Sequence, residues 1–223
     1  MFITFEGPDA SGKTTILNKL IDFLNKNYPE IEFITTREPG GKHLVEAEKI
    51  REIILNKDSI LSPEAEAILY SASRRIHLDR VVIPALSEQK LVICDRYVDS
   101  FYAYQGYARG LGLDYVKAMT NLVINGLMPD ITVFFNITPE QSKARMNQER
   151  LIEQHDRLDC EGDNFHRKVY NGYLDLINQD PKRFLIINAN QSIEEVFSDL
   201  KQQLFSNQKF INFLKNKGIN VSE

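Results

Sequence analysis

The chain has 223 residues, of which 43% are hydrophobic and 26% charged, and its formal net charge at pH 7 is −4. These proportions are typical of a soluble globular protein, and the acidic excess excludes a general attraction to nucleic acid or to an anionic membrane surface. No apolar run approaches the roughly 18 residues of a membrane-spanning helix, and the first predicted strand leaves no room for a secretion signal before it. We therefore expect a cytoplasmic protein with neither membrane nor nucleic-acid partners.

A phosphate-binding pattern occupies the first loop. Residues 7–14 read G-P-D-A-S-G-K-T and lie between the apolar run Phe2–Phe5 and a segment with helical periodicity. In the pattern G-x-x-x-x-G-K-[ST], backbone N–H groups at a helix start surround a polyphosphate, the lysine reaches the outer phosphates and the hydroxyl helps to ligate Mg²⁺. We therefore predict a polyphosphate site with Mg²⁺, in which Lys13 is catalytic and Thr14 is a metal ligand. Its predicted residues are Gly7, Pro8, Asp9, Ala10, Ser11, Gly12, Lys13 and Thr14.

Apolar runs suited to buried strands recur along the chain. Runs rich in isoleucine, valine, leucine and phenylalanine, separated by helix-period segments, are typical of parallel strands with helices on both faces. We therefore predict a three-layer α/β fold with a five-stranded parallel sheet, in which ligands bind at the carboxyl ends of the strands. The predicted strands are Phe2–Phe5, Ile31–Thr35, Leu91–Cys94, Ile131–Phe135 and Phe184–Ile187.

Two helix starts are marked by a capping residue, a proline and an acid in sequence. Residues 62–64 (S-P-E) predict a long helix that continues to about Leu86, and residues 138–140 (T-P-E) predict another that runs toward Arg150. The segment that follows is charged and poor in apolar residues, so we expect a mobile lid over about residues 148–163.

The domain organisation follows from these elements. We expect one domain over residues 1–206, with the lid inserted in it. The remaining residues, 207–223, form a weakly amphipathic C-terminal tail that is predicted to be either an extra helix or frayed.

Three arginines are placed to bind a second anion opposite the phosphate-binding loop. Arg37 follows the second strand and Arg96 the third, while Arg74 lies on the intervening helix. Because the carboxyl ends of parallel strands lie at one edge of a sheet, these guanidinium groups can fork onto phosphate oxygens of an acceptor. Aromatic and amide groups nearby can supply a stacking face and hydrogen bonds for a base. These are Tyr70, Tyr104 and Gln105, of which Tyr104 is about equally well interpreted as a core aromatic.

Several classes of protein share such a loop. A regulatory GTPase would need an N-K-x-D guanine motif, and the nearest string, residues 56–59, has a different spacing. A nucleic-acid-binding ATPase would carry a basic stripe, which the net charge and scattered lysines do not indicate. A nucleoside kinase or another monophosphate kinase is the closer alternative, and the arginine-rich acceptor side favours a monophosphate over an unphosphorylated nucleoside.

Two longer motifs resemble those of thymidylate kinases. They are R-E-P-G-G at residues 37–41 and D-R-Y-x-x-S-x-x-A-Y-Q at residues 95–105, and motif order and spacing agree over nearly the whole chain. The resemblance implies a P-loop kinase fold and transfer of the γ-phosphoryl group of ATP to dTMP, which gives ADP and dTDP on the route to dTTP. It also implies Mg²⁺ with ATP and a homodimer packed through helices.

The resemblance implies a role for each matching residue on the acceptor side. Arg37 and Arg96 would grip the dTMP phosphate, and Asp9 would act near the sugar and phosphate. Phe101 departs from the family pattern, because the bacterial type more often has a small polar residue there that helps to read the base. The other implied acceptor residues are Tyr70 stacking on thymine, Arg74 at its carbonyl edge, Tyr104 at the 2′ position, and Ser100 and Gln105 on the base side.

On the donor side the resemblance implies an adenine site and a lid. Residues 156–157 (D-R) resemble the family's lid, and the phosphate-binding loop has no basic residue before Lys13. We therefore expect the lid to supply a catalytic arginine, with Arg157 as first choice and Arg150 as second. The remaining implied residues are Arg145 over adenine, Asn188, Ala189 and Gln191 in the adenine loop, and Asp95 beside Thr14 at Mg²⁺.

Overall fold

The chain folds around one parallel sheet. The computed structural model describes residues 1–41, 43–149 and 156–219, and of residues 148 and 149 it describes the backbone. The strands are β1 (Phe2–Glu6), β2 (Phe33–Arg37), β3 (Leu91–Asp95), β4 (Ile131–Asn136) and β5 (Phe184–Asn188). Their order in the sheet is β2-β3-β1-β4-β5, and every neighbouring pair is parallel. The predicted five-stranded sheet is confirmed, but β2 begins two residues after Ile31, whose backbone N–H donates to the Tyr28 carbonyl in a turn.

Helices connect the strands. Their bounds are α1 (Lys13–Asn27), α2 (Val45–Leu55), α3 (Pro63–His77), a π-helical turn (Leu78–Val82), α4 (Ile83–Ser87), α5 (Val98–Phe101), a π-helical segment (Tyr102–Ala108), α6 (Leu113–Ile124), α7 (Pro139–Glu149), α8 (Asp163–Gln179), α9 (Ile193–Ser206) and α10 (Gln208–Asn216). The Ser62 hydroxyl caps α3 by accepting from the Ala65 N–H. Since α3 continues through the π-helical turn into α4, the long helix predicted after Ser62 is confirmed, and so is the helix that opens at Pro139.

Side-chain alternation divides the core into two layers. Phe2 and Ile3 point to opposite faces of β1 because successive side chains of a strand alternate, and each belongs to a separate buried cluster. The cluster around Phe2 includes residues of α3 and α8, and the cluster around Ile3 includes residues of α1, α9 and α10. Helices thus cover both faces of the sheet, and the predicted three-layer α/β architecture is confirmed.

The segment after residue 206, placed in a tail by the sequence, contributes to this core. Asn207 caps α10 with its side chain, which accepts from the Lys209 N–H. On α10 the side chains of Phe210 and Leu214 are fully buried. Among the described residues, no helix is both long and apolar enough to cross a membrane.

The sheet brings three functional segments to one edge. β1 ends at Glu6 before the phosphate-binding loop, β2 ends at Arg37, and β3 ends at Asp95. Asp95 is the register partner of both Phe5 on β1 and Arg37 on β2. The loops that follow these strands therefore start side by side.

Candidate active site

The phosphate-binding loop wraps around the Lys13 ammonium. Gly7 has a φ of 141°, and a Cβ there would lie 2.8 Å from the Phe135 carbonyl oxygen, so only glycine fits this close approach. Lys13 Nζ donates to the carbonyl oxygens of Gly7 (3.1 Å) and Pro8 (2.8 Å). Burial, with Arg96 adding to it, lowers the pKa of Lys13 to about 8. The ammonium is therefore poorly solvated, and an anion in the loop would stabilise its charge.

Arg96 is held in a specific position beside this loop. Its φ is 68°, an uncommon conformation for a residue with a side chain, and its backbone N–H donates to the Phe5 carbonyl at 2.9 Å. The guanidinium donates to Asp9 Oδ1 at 2.7 Å and to the Ser100 hydroxyl at 3.0 Å. The structure thus brings Arg96, Asp9 and Ser100 together, as the sequence predicted.

Asp9 connects the phosphate-binding loop to the predicted acceptor residues. Its second carboxylate oxygen accepts from the Tyr104 hydroxyl at 3.2 Å, which places this predicted residue in the site. Burial acts to raise the pKa of Asp9, but the charges of Arg96 and Lys13 outweigh it and hold that pKa well below its usual range. Asp9 is therefore an anion throughout the physiological pH range.

Glu6 was left without a role by the sequence, yet it connects the loops of the site. This fully buried carboxylate accepts from the Tyr97 N–H (2.7 Å), the Tyr173 hydroxyl (3.1 Å) and the Ser100 hydroxyl. Burial, with the nearby charge of Asp99, raises the pKa of Glu6 to about 7. A signal was present, because Glu6 is the only charged residue of this buried strand and directly precedes the loop.

A cavity of about 400 Å³ opens between the phosphate-binding loop and the predicted acceptor residues. Its walls come from the loops after β1, β2 and β3 and from helices α2 and α3. Most of the residues that the sequence assigned to the polyphosphate and to the acceptor line this cavity. Its lining includes Asp9, Lys13, Thr14, Arg37, Tyr70, Arg74, Asp95, Arg96, Ser100, Phe101, Tyr104 and Gln105.

Arg74 is buried in the cavity wall, and one of its guanidinium nitrogens makes no hydrogen bond to the described residues. Its Nε donates to Glu38 Oε2 at 2.7 Å and its Nη2 to the Tyr97 carbonyl at 3.2 Å. Its Nη1 is buried and has no hydrogen-bond partner among the described residues. The guanidinium carbon lies 5.1 Å from the ring centre of Phe101. Arg74 therefore offers a fixed, unsatisfied donor beside an aromatic wall.

Gln105 offers the complementary group. Its Nε2 donates to Glu66 Oε1 at 2.7 Å, whereas its Oε1 is buried without a hydrogen-bond partner in the described part of the chain. Tyr70 and Phe101 flank this region with ring centres 6.2 Å apart. Phe101 supplies an apolar surface at the position where a small polar side chain was expected from the family pattern.

A second pair of arginines faces the cavity from the β2 side. Arg37 donates to the Pro39 carbonyl at 3.1 Å and to Glu48 at 2.8 Å, and Arg51 donates to the same carbonyl at 3.0 Å. Burial and the neighbouring charge of Arg37 lower the pKa of Arg51, so these cations are crowded. Sequence reasoning missed Arg51 because it lies inside α2, outside any motif.

Two oxygen ligands suited to a divalent cation lie on the loop side. Thr14 and Asp95 both line the cavity, and Asp95 Oδ1 is buried with no hydrogen-bond partner among the described residues. No cluster of three or more potential metal-binding histidine, cysteine or acidic side chains occurs in the described ranges. One carboxylate and one hydroxyl fit Mg²⁺, which normally takes its other ligands from water and phosphates.

The predicted adenine-side residues also meet. Arg145 on α7 donates from Nη2 to the Ala189 carbonyl at 2.8 Å, and Gln191 donates to the Asn188 carbonyl at 3.0 Å. The Ser142 hydroxyl, on the same helix as Arg145, donates to the Asp9 carbonyl at 2.6 Å. The loop after β5 is therefore adjacent to α7, and α7 is adjacent to the phosphate-binding loop.

The predicted lid arginine Arg157 contacts helices α2 and α3. Arg157 donates from Nε to the Ile54 carbonyl at 2.8 Å and from Nη2 to Glu66 at 2.7 Å, so its guanidinium is bound at the α2–α3 side of the cavity. Its neighbours Asp156 and Leu158 line the cavity. Arg150 lies outside the described residues, as do residues 151–155 of the expected lid.

Known proteins match the chain over nearly its full length. The family model described as "Thymidylate kinase" matches residues 5–200. The thymidylate kinase of Mycoplasmopsis agalactiae is 57% identical over 216 residues, which cover 97% of this chain and 100% of the relative. That of Clostridium novyi is 49% identical over 203 residues, 90% of this chain and 96% of the relative. The crystal structure of thymidylate kinase from Ehrlichia chaffeensis is 32% identical, with a TM-score of 0.73 over 92% of this chain and 97% of that chain. The chain therefore belongs to the thymidylate kinase family.

Proposed function

We propose that this chain transfers the γ-phosphoryl group of ATP to dTMP, giving ADP and dTDP, a step toward dTTP. The observation that best supports this is the single cavity that joins the phosphate-binding loop to an arginine-rich wall and an aromatic slot. A kinase needs its donor and acceptor phosphates to face each other in one water-poor site.

On the donor side, the loop N–H groups and Lys13 hold the β- and γ-phosphates. Thr14 and Asp95 would hold Mg²⁺, a role that the unpartnered Oδ1 of Asp95 supports, and the bound ion would supply positive charge at the transferred phosphoryl group. Arg145 lies over the adenine ring, with Asn188, Ala189 and Gln191 along its edge.

On the acceptor side, Arg96 and Arg37 bind the dTMP phosphate. Asp9 orients Arg96 through the 2.7 Å ion pair and acts near the sugar, while Tyr104, hydrogen-bonded to Asp9, crowds the 2′ position and favours a deoxyribose. Ser100 supports this side through Arg96. The acceptor phosphate has a second pKa of about 6 and is mostly a dianion at neutral pH, so the attacking oxygen needs no general base.

The base lies in the part of the cavity lined by Tyr70 and Phe101. Tyr70 stacks on thymine, Arg74 Nη1 donates to its O4 carbonyl, and Gln105 Oε1 accepts from its N3–H. The unsatisfied state of both protein atoms supports this pairing, because a buried polar group without a partner is costly until a ligand supplies one.

The lid completes the charge around the transferred phosphoryl group. We assign this role to Arg157 or Arg150. For Arg157 the role requires a rearrangement that releases its guanidinium from Glu66, as closing lids do in related phosphoryl-transfer chemistry.

The chain acts as a homodimer packed through helices. Helices α3 and α6 contact one another, since Arg75 on α3 donates to the Val123 carbonyl on α6. Both helices expose apolar side chains, which supports a partner on this side of the molecule. These side chains are Ile68, Tyr115 and Leu122.

A coupled assay of ADP release tests the activity. Each common deoxynucleoside monophosphate, together with dUMP and thymidine, is supplied as acceptor with ATP and Mg²⁺. We expect dTMP to give the highest kcat/KM and thymidine to give none. A preference for a purine monophosphate, or for thymidine itself, would contradict the proposal.

A further inference from the structure

Glu66 on α3 is a buried acid at the edge of the cavity to which no sequence motif gave a role. Its side chain is 1% exposed. One carboxylate oxygen accepts from Gln105 Nε2 at 2.7 Å, and the other accepts from Arg157 Nη2 at 2.7 Å and lies 3.2 Å from Arg109 Nη2. Two guanidinium groups thus compensate a carboxylate that burial alone would strongly disfavour.

This arrangement determines which end of the Gln105 amide faces the cavity. An ionised carboxylate can only accept hydrogen bonds, whereas a glutamine side chain has a donor end and an acceptor end. The NH₂ end of Gln105 must therefore point to Glu66, and its oxygen must point away. That oxygen has no hydrogen-bond partner in the described part of the chain, so Glu66 fixes an acceptor in the cavity wall.

Arg74 and Gln105 both line the cavity, and each keeps one buried polar atom without a partner among the described residues: the donor Arg74 Nη1 and the acceptor Gln105 Oε1. The ring of Phe101, which also lines the wall, adds no hydrogen-bonding group. A thymine or uracil edge has a carbonyl oxygen beside an N–H and complements this pair. A cytosine edge has an amino group beside a bare ring nitrogen, so its pattern is reversed.

We infer that Glu66 is a positioning residue that sets the base specificity of this site, by holding the Gln105 amide with its oxygen toward the base. The inference rests on the proposed function, in which dTMP occupies the cavity. Arg109 keeps the Glu66 carboxylate in place, and Arg157 does so as well until a rearrangement of the predicted lid releases it. The predicted lid is thereby linked to base recognition.

The test compares dissociation constants for dTMP and dCMP, measured by calorimetry on the full chain. Glu66→Gln keeps the size of the side chain but can donate as well as accept, which frees the Gln105 amide to turn. We expect the ratio of the dCMP constant to the dTMP constant to fall by about tenfold or more, since mispaired buried polar groups carry this kind of discrimination. Glu64→Gln, an exposed acid in the first turn of the same helix, is the matched control and should leave the ratio unchanged.

A second background separates positioning from a structural effect. In Gln105→Ala, adding Glu66→Gln should change the ratio by less than about twofold, because the residue through which Glu66 acts is gone. Equal weakening of dTMP and dCMP by Glu66→Gln, or an undiminished effect in Gln105→Ala, would overturn the inference. If Glu66→Gln fails to fold, Glu66→Asp replaces it in the test, because the shorter side chain keeps the charge but withdraws it from Gln105. Glu66→Asp is also expected to lower the ratio of the dCMP constant to the dTMP constant. An unchanged ratio would overturn the inference. A wild-type chain with no preference for dTMP would instead contradict the proposed function.

Discussion

Lys13 is the proposed catalytic cation of the phosphate-binding loop. Its ammonium is poorly solvated and surrounded by loop carbonyls, and it is the cation nearest the proposed γ-phosphate. We expect Lys13→Ala to lower kcat by about 10²-fold or more, because the site loses a preorganised charge at the reacting group. Steady-state kinetics with saturating ATP and dTMP measures this, and a melting curve close to that of the wild type controls for folding. Turnover of Lys13→Ala at the wild-type level would contradict a catalytic role for the phosphate-binding loop.

Arg96 is proposed to bind the acceptor rather than the donor. It is fixed between Asp9 and Ser100 and lines the acceptor cavity. Arg96→Ala should raise KM for dTMP by roughly 10- to 150-fold, which corresponds to about 1.5–3 kcal/mol of lost binding free energy, and KM for ATP much less. Arg80, exposed and paired with Glu46, is the matched control, and its replacement by alanine should change neither constant. Equal increases for both substrates in Arg96→Ala would contradict the assignment.

Glu6 gives the protein a specific pH dependence of stability. Its pKa in the folded chain is about 7, above the usual value of 4.5, so the folded chain retains a proton that the unfolded chain loses as pH rises. The carboxyl group therefore costs stability increasingly from about pH 4.5 to pH 7. Between pH 5 and pH 8, we expect the free energy of unfolding of Glu6→Gln to rise by about 1 kcal/mol or more relative to that of the wild type. Urea unfolding of both proteins at four pH values measures the difference between their free energies of unfolding. A difference that does not change with pH would contradict the prediction.

The sequence predicted residues that belong to motifs better than residues that act through packing. Lys13, Asp9 and Arg96 are brought together as expected, because the ends of adjacent parallel strands fix their loops side by side. Glu6 and Glu66 were missed, since a buried acid is explained only by its partners, and those lie up to 167 residues away along the chain. Arg157 belongs to a predicted lid motif, but the motif did not indicate its contact with Glu66.

At the scale of elements, α10 is part of the core. Phe210 is fully buried, and its ring centre lies 5.1 Å from that of Phe205 on α9. Phe210→Ala should lower the free energy of unfolding by about 3–5 kcal/mol, the usual cost of such a core truncation, with kcat at 25 °C little changed. Asn212→Ala, on an exposed position of the same helix, should cost far less. A loss below about 1 kcal/mol in Phe210→Ala would mean that the helix does not pack as described.

The predicted lid is the other element that can be tested alone. Single-turnover rates of Arg157→Ala and Arg150→Ala report the chemical step separately from product release. We expect at least one variant to lose about 10³-fold, the scale of an arginine supplied to a transferring phosphoryl group. Losses below about threefold in both, or about 0.65 kcal/mol at the barrier, would leave the charge to Lys13, Mg²⁺ and Arg96.

Strands and helix starts could be predicted because local sequence determines them. Continuous apolar runs identified all five strands, and the S-P-E and T-P-E signals marked α3 and α7. The start of β2 was misplaced by two residues because a turn hydrogen bond, not hydrophobicity, sets it. The π-helical segment over Tyr102–Ala108 had no sequence signal, yet it places Tyr104 and Gln105 in the cavity wall.

The whole molecule is organised so that one edge of the sheet serves both substrates. Helices on both faces bury the strands, which leaves the carboxyl ends of β1, β2 and β3 as the place where polar groups gather. The proposed donor residues follow β1 and β5, and most of the proposed acceptor residues follow β2 and β3. This separation allows two anionic ligands to approach each other in a cavity lined by arginines.

Direct transfer of phosphate is the most decisive measurement. ATP labelled in its γ-phosphate is incubated with the chain, Mg²⁺ and dTMP, and the products are separated by chromatography. The account predicts that the label appears in the β-phosphate of dTDP and that Lys13→Ala abolishes this product. Label released mainly as inorganic phosphate, or transferred to thymidine in preference to dTMP when both are supplied together, would contradict it.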